Sequence, residues 1–251
     1  MKVSKRHVYF IEGGDNVGKT TTINTIKHSK YIDPMKYNRI RFSKYPTKDV
    51  TDNINKLNKI YKEVKDNPED KKNVIISLIK TMIFDMISSF DTLYNDKWFL
   101  YNPDDVLEIS DRGFISTYLY QYRDMPGIPK QITQDQELMY LKEFINTYIP
   151  PTLNDINVII LNNNANPLLA NITIDDTETI EYKKDFDNNI ELQTRINSSL
   201  NNIIELIKNE KIINLLPIKF YYINIFDETG SIRKTPDEVC QEIVSIINKE
   251  D

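Results

Sequence analysis

A glycine-rich loop near the amino terminus constrains this 251-residue chain more than any other feature. Residues 13–20 fit the pattern G-x4-G-K-[ST], between the apolar run 8–11 and a helix-like stretch at 20–26. Glycines let successive backbone N–H groups face one anion, and the N-terminus of the following helix adds partial positive charge. The loop therefore predicts a phosphate-binding site in an α/β fold. The alternative is an ordinary glycine turn between a strand and a helix.

The loop pattern predicts how a nucleoside triphosphate is held. Lys19 is expected to reach the β- and γ-phosphates of ATP, and the Thr20 hydroxyl is expected to complete the shell of a Mg2+ ion. The residues expected to bind ATP are Gly13, Gly14, Asp15, Asn16, Val17, Gly18, Lys19, Thr20 and Thr21.

The composition limits the partners and the setting of the protein. A net charge of -5 argues against an extended surface for DNA or RNA, which needs clustered Lys and Arg. Cys240 is the only cysteine, and no apolar signal segment precedes the first predicted strand. The longest apolar stretch, 74–90, contains Lys80 and Asp85, so it predicts a core helix rather than a membrane span. We expect a cytoplasmic protein that binds neither membrane nor nucleic acid.

Strand-like and helix-like segments alternate along the chain. This order predicts a parallel sheet of about five strands flanked by helices, in a single domain over residues 1–251. The predicted strands are residues 7–12, 39–42, 106–111, 156–161 and 220–226, and the predicted helices lie near 54–64, 74–90, 114–122, 192–207 and 236–247. The polar stretch 162–189 has little apolar periodicity and is expected to be a mobile lid.

Asp111 and Arg112 lie at the end of the third predicted strand and bring a carboxylate and a guanidinium to it. Side chains at the carboxyl ends of parallel strands face the ligand crevice, so both are expected near the loop. The carboxylate can hold Mg2+ or position a nucleophile, and the arginine can clamp phosphoryl oxygens. The alternative is an aspartate that caps the next helix, beside a surface arginine.

Three ordered segments resemble the signatures of thymidylate kinases. They are residues 10–22, which include the glycine-rich loop, residues 45–48 (Tyr-Pro-Thr-Lys) and residues 111–121, which run from Asp-Arg-Gly-Phe to Tyr-Gln. The motifs cover about residues 5–125, and the remainder is compatible through its order of strands and helices. The resemblance implies a homodimeric P-loop kinase that uses ATP and Mg2+ to phosphorylate a deoxypyrimidine monophosphate.

The resemblance also implies roles for single residues. Asp15 matches a loop carboxylate that contacts the acceptor side, and Lys48 lies where the family usually has an arginine on the acceptor phosphate. Asp111 and Arg112 match the Asp-Arg pair of the family, and Thr20 and Asp111 are the expected metal ligands. The expected acceptor-binding residues are Asp15, Tyr45, Pro46, Lys48, Phe84, Arg112, Ser116, Thr117, Tyr120 and Gln121. For the last four, the alternative is an ordinary amphipathic helix face.

The helix at 74–90 departs from the family pattern. The family carries a phenylalanine there that stacks on the base, and four residues later an arginine. Here Phe84 is the only aromatic residue in mid-helix. If Asp85 is aligned with the acidic residue that precedes the arginine, Met86 replaces the arginine. The identity of the accepted base is therefore open.

The catalytic arginine of the family, found in the loop or in the lid, is also missing. Asn16 takes the loop position, so Lys183 or Lys184 of the lid is expected to supply the charge, with Arg195 in reserve. The alternative is a solvated lysine pair.

Two other functions remain open. A deoxynucleoside kinase shares the loop and sheet but must deprotonate a neutral hydroxyl, for which Glu12 is the candidate base. A nucleotide-controlled switch or assembly ATPase hydrolyses ATP slowly and ignores added nucleoside monophosphates.

Overall fold

The computed structural model describes residues 6–14, 17–32, 36–37, 39–64, 66–94, 106–150, 156–162, 180–212, 218–226 and 232–249. For residues 6, 89–94 and 180–191 it describes the backbone only.

A five-stranded parallel sheet forms the centre of the fold, in the order β2-β3-β1-β4-β5. The strands are β1 (Arg6–Gly13), β2 (Arg39–Lys44), β3 (Val106–Asp111), β4 (Ile156–Asn162) and β5 (Ile218–Asn224). Each lies within about two residues of its predicted bounds. The predicted parallel sheet is confirmed.

Helices cover both faces of the sheet. They are α1 (Lys19–His28), α2 (Lys48–Val64), α3 (Pro68–Tyr94), α4 (Phe114–Tyr120), α5 (Gln134–Tyr148), α6 (Ile180–Lys208) and α7 (Pro236–Lys249), with a 3-10 turn at Tyr122–Asp124 after α4. Alternate side chains of β1 enter different cores. Val8 and Phe10 pack with α3, α4, α5 and α6, whereas Tyr9 and Ile11 pack with α1 and α7. Every residue of β3 and β4 is buried.

The strand order fixes where a ligand can bind. From central β1, the chain crosses to β2 and β3 on one side and to β4 and β5 on the other. The crevice of such a sheet lies at the carboxyl end of the strand where this reversal occurs. The glycine-rich loop leaves β1 at that point, beside the end of β3, where Ile11 pairs with Asp111.

Two helix starts carry the capping pattern of a Thr followed three residues later by Glu or Gln. At α7, Thr235 and Glu238 bond reciprocally, as the sequence predicts. At α5, Thr133 and Gln136 form the same box. The prediction omitted α5, although this box was a readable signal.

The predicted lid is partly helical. α6 begins at Ile180, within the polar stretch 162–189, whereas residues 163–179 lie outside the described residues. Buried Ile196 and Leu200 anchor the C-terminal half of α6, and once a turn exists each added residue gains a hydrogen bond. A helix can therefore extend into polar sequence that shows no apolar period. Over the described residues, none of the helices is long and apolar enough to cross a membrane.

Candidate active site

The glycine-rich loop places a lysine amine over its own carbonyls. Lys19 begins α1 and is buried, and its Nζ donates to the carbonyl oxygens of Gly13 at 3.0 Å and Gly14 at 2.5 Å. Gly18 caps α1 with φ 92°, a left-handed conformation that favours glycine. An amine that is held by backbone carbonyls in this way can also bind the oxygens of a phosphate. Asp15 and Asn16 lie outside the described residues.

The first turn of α1 is joined to the end of β3. Thr20 Oγ1 donates to Asp111 Oδ2 at 2.6 Å. Oδ1 of Asp111 is buried and has no hydrogen-bond partner in the structure, so this carboxylate oxygen remains available to bind a hard cation.

A hydroxyl and a carboxylate fit Mg2+, which usually takes one or two protein oxygens and keeps several waters. The described residues hold no cluster of three or more His, Cys, Asp or Glu that would suit a metal held by protein alone. Thr20 and Asp111 therefore lie together as the sequence predicts for a metal site.

Arg112 leaves β3 in a left-handed conformation, with φ 74°. Its N–H donates to the Ile11 carbonyl at 3.1 Å, and its carbonyl accepts a 2.9 Å hydrogen bond from Ser110 Oγ. The guanidinium lies 5.2 Å from the ring centroid of Tyr120. Such a conformation costs about 1–2 kcal/mol for a residue with a Cβ, and neighbours must hold it in place. These contacts fix the start of a side chain that lines the adjacent cavity.

A cavity of about 370 Å³ adjoins Arg112. The end of β2 and the residues after it, one face of α3, and α4 with its flanks form the walls. Of the residues predicted to bind the acceptor, the structure brings to it Tyr45, Pro46, Arg112, Ser116, Thr117, Tyr120 and Gln121. Three segments that are far apart in sequence therefore meet at one cavity.

Glu12 anchors the start of α4. Its Oε1 accepts from the backbone N–H groups of Ile115 at 3.0 Å and Ser116 at 3.2 Å, and its Oε2 accepts from Ser116 Oγ at 2.5 Å. Burial raises the pKa of the Glu12 carboxyl, against the hydrogen bonds of Ser116 and the charges of Arg112 and Lys19. Glu12 is fully buried and does not line the cavity. Its expected role as a nucleoside base is not supported, because α4 occupies both of its oxygens.

Two residues that the sequence predicts to bind the acceptor do not line the cavity. Phe84 is 70 % exposed and lies outside the cavity, because successive helix positions point about 100° apart. Met82 and Met86 line the cavity from α3 instead. Lys48 is exposed at the first residue of α2, and the lysine in the cavity wall is Lys44 of β2.

Asp85 fixes the segment that follows β2. Its Oδ2 accepts from the Thr47 N–H at 2.7 Å and its Oδ1 from Thr47 Oγ1 at 2.5 Å. The Asp85 side chain is buried on α3, so this helix holds the Tyr45–Pro46 wall in place. This role of Asp85 is not evident from the sequence, which only suggests its alignment.

Arg195, the reserve for the catalytic charge, is occupied elsewhere. Its Nη1 lies 2.7 Å from Asp124 Oδ1, and Asp124 Oδ2 is contacted by Lys71 Nζ at 3.2 Å and by the Tyr61 hydroxyl. Burial would raise the pKa of Asp124, but the hydrogen bonds from Tyr61 and Arg195 and the charges of Arg195 and Lys71 hold it below its ordinary value. This cluster joins α6 to α2, α3 and the 3-10 turn. The charge expected from Arg195 is therefore not directed at the loop.

Lys183 and Lys184 lie on α6, and only their backbone is described. A residue farther along α6 does approach the loop. A Cβ added to Gly14 would lie 2.9 Å from Asn197 Oδ1. α6, which begins within the predicted lid segment, thus packs directly against the glycine-rich loop.

A second buried polar network lies beside α4. Arg123 is 2 % exposed, and its Nε donates to Ser199 Oγ at 3.1 Å and lies 3.7 Å from Glu137 Oε1. Glu137 Oε1 also accepts from the Tyr118 hydroxyl at 2.5 Å. Burial raises the pKa of Glu137 against these partners. The network ties α4, α5 and α6 together behind the cavity.

Together these elements define a P-loop protein with a cavity beside the carboxyl ends of β2 and β3 in a parallel sheet. The sequence matches no family profile and no curated protein. Among solved structures, it resembles a thymidylate kinase from Candida albicans with a TM-score of 0.50 and 15 % identity, over 98 % of this chain and 92 % of that one. A thymidylate kinase from Ehrlichia chaffeensis aligns with a TM-score of 0.47 and 16 % identity, over 96 % of this chain and 98 % of that one.

The fold of the chain is that of thymidylate kinases. The predicted resemblance is thus confirmed for the architecture. A reaction has to be inferred from the residues of the site.

Proposed function

We propose that this chain is a nucleoside monophosphate kinase that transfers the γ-phosphoryl group of ATP to the 5′-phosphate of a deoxypyrimidine monophosphate. The proposal rests on the closeness of the glycine-rich loop to the cavity. Thr20 of the glycine-rich loop bonds to Asp111, and the next residue, Arg112, lines a cavity of about 370 Å³. A phosphate loop and a second pocket that share one strand end fit phosphoryl transfer between two bound nucleotides.

The charged groups divide between donor and acceptor. Lys19 binds the β- and γ-phosphates from the loop, and Lys44 attracts the acceptor phosphate from the cavity wall. Arg112 lies between the two sites and offsets the repulsion of the phosphates. Thr20 and Asp111 would hold Mg2+, which when bound neutralises charge on the transferred group.

The acceptor oxygen needs no general base, because a monophosphate is already anionic. The engagement of both Glu12 oxygens by α4 agrees with this chemistry. A deoxynucleoside kinase would need a carboxylate beside the 5′-hydroxyl. The contacts of Glu12 therefore count against that alternative.

The cavity walls favour a flat base with a polar edge. Met82 and Met86 offer adaptable apolar contact from α3, and Tyr120 lies on the opposite wall beneath Arg112. Thr117 and Gln121 supply the polar groups for a pyrimidine edge. A pocket of this kind beside the loop also speaks against a switch or assembly ATPase, which needs no second nucleotide site.

The proposal is tested by ADP release from ATP and Mg2+ with and without dTMP. We expect release to depend on dTMP, and we expect Lys19→Ala to lower the rate by about a hundredfold or more, because charge between the phosphates loses its cation. Lys27→Ala is the matched control, since Lys27 is exposed in the last turn of the same helix. ADP release that ignores dTMP would contradict the proposal. Homodimerisation, a single domain and a cytoplasmic location stay predictions.

A further inference from the structure

An arginine that follows the edge strand β5 lies against the glycine-rich loop. Arg233 follows β5 and precedes α7. A Cβ added at Gly18 would lie 3.3 Å from Nη2 of Arg233. Gly18 is the residue directly before Lys19, and its carbonyl accepts the Thr22 N–H of α1 at 2.8 Å. The guanidinium therefore lies beside the loop backbone at the start of α1.

The backbone around Arg233 is held by defined structure. Arg233 forms an antiparallel bridge with Phe226, and the next N–H, that of Lys234, donates to the Ile225 carbonyl at 2.8 Å. Thr235 then caps α7, which packs with α1 in one core. The base of the Arg233 side chain is thus fixed relative to the helix that carries the loop.

The neighbouring lysine pairs with a carboxylate of α7 instead of approaching the loop. Lys234 Nζ lies 2.5 Å from Glu242 Oε1 on α7. Of these two adjacent cations, Lys234 is directed to α7 and Arg233 to the loop. The pair offers a matched comparison one residue apart.

Arg233 approaches the loop from the side opposite the acceptor cavity. The cavity receives Lys44 from β2 and Arg112 from β3, whereas Arg233 follows β5 at the other edge of the sheet. In the proposed function the donor phosphates lie at the loop and the acceptor lies on the β2–β3 side, so an arginine beside the loop lies next to the donor. A planar guanidinium also matches the geometry of phosphate oxygens.

We propose that Arg233 is a donor-binding residue that contacts the phosphates of the nucleotide at Gly18. The proposal rests on the proposed function only in requiring that the loop bind a nucleotide. It adds to Lys19 a second cation on the donor, at the loop and from another element of the fold.

The test is the dissociation constant of ADP with Mg2+, measured by calorimetry without any acceptor. Arg233→Ala should weaken ADP binding by about tenfold or more, the scale of one charge-assisted hydrogen bond. Arg233→Lys should recover part of the loss, and added salt should narrow the gap between wild type and Arg233→Ala. Lys234→Ala should leave the dissociation constant unchanged.

An unchanged dissociation constant in Arg233→Ala, or in Arg233→Gln if the alanine variant unfolds, would overturn the proposal. An equal loss of ADP affinity in Lys234→Ala and Arg233→Ala would also overturn it. The loss would then come from the shape of the segment that carries both residues, and not from the Arg233 side chain. Since no acceptor is present, an error in the acceptor class leaves this result intact. Conversely, unchanged ADP binding in the Arg233 variants would leave the dTMP-dependent assay unaffected.

Discussion

The Thr20 hydroxyl donates a 2.6 Å hydrogen bond to Asp111 Oδ2, across 91 residues of sequence. This contact exists because β1 and β3 are parallel neighbours that end together, with Ile11 opposite Asp111. The loop that leaves β1 therefore returns α1 onto the last residue of β3. Two side-chain oxygens that suit a divalent cation therefore come together where the glycine-rich loop meets the cavity.

The first prediction concerns this pair. Asp111→Asn should lower kcat by about a hundredfold and raise the Mg2+ concentration needed for half-maximal rate, because an amide is a poorer ligand for a hard cation. Mg2+ titration of the steady-state rate measures both effects. Asp52→Asn, an exposed position on α2, serves as the control. An unchanged Mg2+ requirement would show that Asp111 does not bind the metal.

The second prediction separates two lysines at the acceptor side. Lys44→Ala should raise the KM for the monophosphate by about tenfold, because Lys44 lines the cavity and loses a charge-assisted contact. Lys48→Ala should have the smaller effect, since Lys48 is exposed outside the cavity. Initial-rate measurements at saturating ATP give both values. A larger effect of Lys48→Ala would contradict this assignment and support the sequence alignment, in which Lys48 attracts the acceptor phosphate.

The third prediction concerns base selectivity. Met86 supplies an apolar wall, and in the alignment on Asp85 it stands where the resemblance to thymidylate kinases implies an arginine. Without that donor, a wrong base leaves fewer buried polar groups unpaired. dUMP and 5-hydroxymethyl-dUMP should therefore compete with dTMP, whereas dGMP should be excluded by its size. The ratios of kcat/KM for these four monophosphates test this expectation. A preference for dTMP over dUMP beyond about a hundredfold would contradict relaxed selectivity.

The fourth prediction uses the Asp124 cluster. Asp124→Asn should lower the free energy of unfolding at pH 7 by about 1–3 kcal/mol, because Arg195 loses its carboxylate partner. The pKa of Asp124 is depressed in the fold, so the contribution of its charge is present above its ordinary pKa. It is lost as the pH falls through the lower folded value. The difference between wild type and variant should therefore shrink on acidification.

Urea unfolding at pH 7 and at about pH 3 measures this change. Asp135→Asn is the control, because its ion pair with Lys211 is exposed. A difference in unfolding free energy that does not depend on pH would show that Asp124 acts by shape rather than by charge.

The sequence predicted the parts of the molecule that rest on local pattern. The five strands, the capped start of α7 and the closeness of Thr20 to Asp111 follow from strand ends and loop chemistry. α5 was missed even though Thr133 and Gln136 form a capping box. Lys44 was missed because the motif pointed to Lys48.

Other features depend on contacts that no local pattern encodes. Phe84 is exposed because of the way α3 is rotated about its own axis against the sheet. In a helix that is largely apolar, the sequence does not show which face is turned inward. The pairing of Arg195 with Asp124 joins residues 71 positions apart. Arg233 reaches Gly18 only because α7 folds back onto α1.

The most direct test of the central claim is a comparison of kcat/KM for dTMP and for thymidine, with ATP and Mg2+. Transfer to an anionic phosphate needs only clamping by Lys19, Arg112 and Lys44, whereas transfer to a neutral hydroxyl needs a free carboxylate. α4 already engages both oxygens of Glu12. The account predicts that dTMP is turned over to the diphosphate and that thymidine is a far poorer acceptor. Thymidine turned over faster than dTMP would contradict it.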